Sequence, residues 1–130
     1  MRDILFRGKR LDNGAWVYGS LLQVECEDGS IVTAIFDRKD SGGDAEVHPS
    51  TVGQYTGLTD KNGERIFEGD VLTVDGEDGF FVLEFQEDTA RFVMYGDSIV
   101  VDFDNFWSYE VEVMGNIHDN PELLEGDASE

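Results

Sequence analysis

Apolar and polar positions alternate along the chain in short stretches, and glycine-containing polar turns separate them. Tyr109-Glu110-Val111-Glu112-Val113-Met114 is the cleanest case, the pattern of a half-buried strand. Residues 71–74, 80–85, 91–95 and 99–103 are further extended stretches, divided by Asp75-Gly76-Glu77-Asp78-Gly79, Gln86-Glu87-Asp88 and Gly96-Asp97-Ser98. Upstream, residues 3–22 read as a hairpin around Asp12-Asn13-Gly14, because Asn and Gly tolerate the positive φ that a tight turn needs. Residues 31–36 are β-branched and extended, and 37–46 form a polar surface loop holding Ser41-Gly42-Gly43. Residues 52–57 form a short strand, closed by the turn Asp60-Lys61-Asn62-Gly63. No amphipathic helix of three turns appears. Short helical turns are expected near Pro49-Ser50-Thr51 and at Pro121-Glu122-Leu123-Leu124, where Pro suits the first helical position and Asn120 can cap. Strands of four to six residues with glycine turns predict a mainly β fold, a small barrel or sandwich, with small antiparallel barrels as the leading form.

One domain accommodates this pattern. The chain has 130 residues, 40% of them hydrophobic, enough for a core over most of its length. Residues 1–124 are expected to form that domain, with a β part at 1–65, a second β part at 66–118 and a frayed acidic tail at 125–130. No apolar run approaches the ~18 residues of a membrane helix, and Met1-Arg-Asp-Ile leads into no signal-peptide core. A cytoplasmic location without a membrane partner follows as the expectation.

Charge changes the picture most. Nine Lys and Arg face 29 Asp and Glu, a formal net charge of −20. Residues 1–65 hold eight basic and 11 acidic side chains, a net of −3. Residues 66–130 hold Arg91 alone against 18 acids, a net of −17. Direct nucleic-acid binding is disfavoured, since it rests on neutralising phosphates with cations. It would need Arg2, Arg7, Lys9, Arg10, Arg38 and Lys39 to converge on one face.

Catalytic and metal-binding signals are weak. His48 and His118 stand in no zinc-binding spacing, and the single Cys26 excludes an internal disulfide or a cysteine-cluster zinc site. Glu25 and Glu27 flank Cys26, a poor setting for a nucleophilic thiolate. Asp60-Lys61-Asn62-Gly63 opens like a calcium loop, but Arg65 and Val71 stand where the EF-hand needs Gly and Glu. No phosphate-binding glycine loop is present, and no cofactor is expected. Among the aromatics, Phe80-Phe81 and Phe106-Trp107 are adjacent pairs, so in extended chain one member of each faces away from the other.

Four blocks carry a family resemblance: Arg7-Gly-Lys-Arg-Leu-Asp-Asn-Gly-Ala-Trp-Val-Tyr-Gly19, Val52-Gly-Gln-Tyr-Thr-Gly-Leu58, Asp60-Lys-Asn-Gly-Glu-Arg-Ile-Phe-Glu-Gly-Asp70 and Gly115-Asn-Ile-His-Asp-Asn-Pro-Glu-Leu-Leu124. In that order they resemble the YopX-like proteins of bacteriophages and prophages. The resemblance implies a mainly β protein, SH3-like after Glu68-Gly69-Asp70, of phage origin and acting in the host cytoplasm. It supplies no activity and no catalytic residues.

The leading reading is a non-enzymatic accessory protein that binds another protein through an acidic surface. Glu77, Asp78, Glu87 and Asp88 in the turns, with Phe106 and Trp107, are its candidate contacts. Two alternatives stay open: an acidic decoy that mimics nucleic acid for a host defence or regulatory protein, and an enzyme with a carboxylate-based site. Self-association is open as well.

Overall fold

The structure is a computed structural model that describes residues 4–37, 43–97 and 99–125. Two compact units divide it, Met1–Tyr55 and Thr56–Glu130. The chain passes from one to the other inside a strand, whereas the shift in charge that divides the sequence sits at residue 65. Counted on these units the imbalance persists: six basic against nine acidic residues in the first, three against 20 in the second.

The first unit is an antiparallel sheet of β1 (Phe6–Lys9), β2 (Trp16–Glu25), β3 (Ile31–Phe36), β4 (Asp44–Glu46) and the start of β5 (Gly53–Thr59). Its order is β4-β3-β2-β1-β5. The first hairpin forms where the sequence places it. Gly14 takes φ 73°, the Asn13 side chain accepts the Ala15 N–H, and the register sets Lys9 opposite Trp16 and Arg7 opposite Tyr18. Close backbone approach explains Gly19: a Cβ there would collide with the Phe36 carbonyl. Ile35, Val47, Ala34 and Thr33 are buried in this unit. A single 3-10 turn, Pro49–Thr51, realises the first expected helical turn. The Thr51 hydroxyl fastens it, donating to the His48 carbonyl and accepting the Lys9 N–H.

In the second unit the rest of β5 runs beside β6 (Arg65–Phe67). There follow β7 (Asp70–Val74), β8 (Phe81–Gln86), β9 (Arg91–Tyr95), β10 (Val100–Asp102) and β11 (Val111–Asn116). These five strands form an antiparallel sheet in the order β10-β9-β8-β7-β11. Period-two alternation puts Leu72, Val74, Phe81, Leu83, Met94 and Val111 on one core, joined by Ile66 and Phe103. Two four-residue helices complete the unit, α1 (Asn105–Ser108) and α2 (Glu122–Glu125).

The mainly β, antiparallel expectation holds, but the sheets are open rather than closed barrels. In the five-stranded sheet β10 and β11 are the two edges and do not pair with each other. The link between them is folded into α1, where Trp107 and Ser108 N–H groups bond the Asp104 carbonyl. The closed barrel expected for 66–118 is thus an open sheet. Residues 126–130, most of the expected frayed tail, lie outside the described residues.

Candidate functional site

Asp60, Asp70, Asn116 and Asn120, four polar motif residues, have structural tasks. Asp60 is 5% exposed, and its carboxylate accepts three backbone N–H groups, from Asn62, Glu64 and Val113, each at 2.9 Å. The side chain that opens the Asp60-Lys-Asn-Gly turn also holds β11. Asp70, 1% exposed, accepts the Phe67 N–H at 2.8 Å across the bend at Gly69, whose φ is 92°. Asn116 accepts the N–H groups of His118 and Asp119, while Asn120 accepts that of Asn116. Asn120 therefore braces the end of β11 with its side chain, and the N–H of Leu123 bonds its main-chain carbonyl. Buried carboxylates and amides that collect several N–H groups replace water in tight turns.

The first block behaves similarly. Arg7 is buried, with its guanidinium 4.7 Å from the centre of the Trp16 ring, and the Lys9 ammonium lies 5.6 Å from the same centre. The facing register of β1 and β2 creates this stack. Trp16 is only half-buried, so it is a platform for cations rather than a core anchor.

The acidic candidates divide. Glu77 and Asp78 are exposed in the β7–β8 turn, and Glu87 and Asp88 are exposed in the β8–β9 turn. These turns lie at opposite ends of β8, roughly 20 Å apart at ~3.3 Å per residue, so the four acids do not form one patch. Antiparallel pairing brings the β9–β10 turn, with exposed Asp97, to the Glu77 end. It brings Asp102 and Asp104 to the Glu87 end, where Asp102 meets Arg91 at 3.0 Å. Lys61 joins the Glu77 end through a 2.8 Å ion pair with Asp75. Trp107 is half-buried against the core of its unit, which makes it a packing residue. The extended arrangement expected for Phe106-Trp107 is a helical turn instead, and the Phe106 side chain lies outside the described side chains. No group of three or more His, Cys, Asp or Glu residues suited to a metal ion occurs among the described residues.

Three exposed groups have shifted proton affinities. Hydrogen bonds from Arg10 hold the Asp12 carboxyl below its usual 3.8, and the Ser30 hydroxyl and N–H do the same for Asp28. The Asp75 carboxylate holds the Lys61 ammonium above its usual 10.5. A lowered carboxyl stabilises the fold above its unfolded pKa and loses that contribution as pH falls through the folded value. A raised ammonium contributes below its unfolded pKa and loses the contribution as pH rises through the folded value. Urea midpoints of Asp12→Asn, Asp28→Asn and Lys61→Gln are therefore expected to keep a constant small offset from the parent between about pH 5 and 9.

An open-sheet β protein, with polar signatures that fasten turns, is the class these observations define. Residues 5–125 match the YopX protein family, and the chain belongs to that family. Among solved structures it is similar to the crystal structure of protein EF1440 from Enterococcus faecalis. The two share 24% identity and a TM-score of 0.61 over 96% of this chain and 100% of the other, a likeness of fold. No curated protein matches the chain.

Proposed function

We propose that this is a non-enzymatic accessory protein of phage origin that binds a basic protein surface in the cytoplasm through the acidic connections of its second unit. One observation supports the reading most: Glu77, Asp78, Glu87 and Asp88 are all exposed, and no ion pair among the described residues engages them. The nearest strand cation, Arg91, is taken by Asp102. Opposite charge across an interface acts chiefly on the association rate and weakens with salt.

Because the two acidic turns lie at opposite ends of β8, a compact partner meets one of them. The paired reversals Glu77→Lys/Asp78→Lys and Glu87→Lys/Asp88→Lys separate the ends. With a partner captured from the host, one pair is expected to slow association by roughly tenfold at low ionic strength. The other pair should leave it within about twofold, and both variants should keep the parent melting temperature. Association insensitive to both pairs and to salt would remove the acidic surface from the interface.

A further inference from the structure

The two edges of the five-stranded sheet are finished differently. At β11 three of the outward backbone groups are occupied by the protein itself. The Val111 carbonyl accepts the Lys61 N–H, the Val113 N–H reaches the Asp60 carboxylate, and the Asn116 N–H reaches the Asn120 side chain. A bulge between Val113 and Gly115 also breaks the register. Such devices prevent another strand from adding to an edge.

β10 lacks them. The Gly96 N–H bonds the Ile99 carbonyl and the Phe103 N–H bonds the Phe92 carbonyl. Antiparallel alternation then turns the backbone groups of Ile99, Val101 and Phe103 toward β9, and those of Val100 and Asp102 outward. Among the described residues nothing bonds these outward groups. Neither Lys nor Pro guards the strand, and Ile99 and Val100 are 52% and 53% exposed. Acidic side chains flank this edge at Asp97, Asp102 and Asp104.

We propose that β10 accepts an extended, basic segment of a partner protein as a sixth strand. The proposal deepens the acidic-surface reading and rests on it for the sign of the partner's charge. A strand laid against β10 projects alternate side chains to opposite faces. On one face they lie beside Val101, which packs on the core, and apolar residues fit there. On the other face they lie beside Val100 and Asp102, where a lysine or arginine joins the existing Asp102–Arg91 pair and gains from the exposed Asp97 beside the edge. The segment thus alternates apolar and basic residues, and its main chain supplies the hydrogen bonds. A second copy of this chain is a poor occupant, because each copy carries a net charge of −20.

The probe is the blocked hexapeptide Lys-Val-Lys-Val-Lys-Val, titrated into the isotopically labelled full chain and followed by amide chemical shifts. Saturable shifts centred on Val100 and Asp102 are expected. N-methylation of the peptide at the residues that bond β10 should weaken binding by at least about tenfold, the loss of two backbone hydrogen bonds. Val100→Pro should weaken the unmodified peptide similarly, because its N–H points outward and the ladder to β9 loses no bond. Equal binding of the methylated and unmodified peptides, or shifts centred away from β10, would overturn strand addition. Equal but salt-sensitive binding would do so while leaving the acidic-surface reading standing. Absence of binding would also remove strand addition, and the acidic-surface reading would then be decided by the paired charge reversals.

Discussion

Asp60→Ala is expected to destabilise the protein by about 3–5 kcal/mol, lowering the melting temperature by more than about 10 °C. The residue is nearly buried, and its removal strands three backbone N–H groups that the carboxylate now accepts. Each orphaned donor costs roughly 1–3 kcal/mol when water cannot reach it, and partial solvation of a surface turn trims the sum. Asp60→Asn keeps one acceptor oxygen and should recover part of the loss. Thermal denaturation followed by circular dichroism separates the two variants. An alanine variant melting within about 2 °C of the parent would show that water replaces the carboxylate at no cost.

Leu83→Ala should cost about 2–5 kcal/mol, the range for truncating a fully buried leucine. Leu83 has no exposed surface, sits at the middle of β8 opposite Met94, and belongs to the core of the second unit. Two residues further along the same face, Phe85 is 38% exposed and meets Phe92 edge to face at 5.2 Å. Phe85→Ala, although it removes more atoms, should cost only about 1–2 kcal/mol, because much of the ring is already in water. Urea denaturation of both variants tests the ranking. If Phe85→Ala proved the costlier, the core would extend past Leu83 toward the β8–β9 turn.

Most strands were legible because their alternation is local. β3 and β9 occupy the stretches that the pattern marks, and the Asn13-Gly14 turn closes the first hairpin as its chemistry requires. What the pattern lacks is partner choice. Whether the last strand closes a barrel depends on pairing between segments far apart in sequence. Here β11 returns to β7 and leaves β10 as an edge. The same gap explains the site. Glu77-Asp78 and Glu87-Asp88 look like one acidic region when read along the chain, but a six-residue strand separates them in space. Phe106-Trp107 reads as extended because four residues are too few to show helical periodicity, and its helical turn forms on the Asp104 carbonyl. The cation platform at Trp16 was not legible, because only the register with Arg7 and Lys9 reveals it. Asp60 carried a usable signal: an Asp two residues before Asn-Gly is a turn fastener, although its reach to Val113 was invisible.

That reach bears on the order in which the molecule assembles. One oxygen of Asp60 bonds residues two and four positions away, contacts available as soon as the turn forms. The other bonds Val113, 53 residues along the chain, and closing a loop of that length costs about 3.5 kcal/mol in chain entropy. The turn is therefore expected to form early on the folding path, with β11 seating into it late. Weakening the short-range bonds should slow folding, whereas weakening the Val113 bond should mainly hasten unfolding. A single carboxylate thus divides its work between the two directions of the folding reaction.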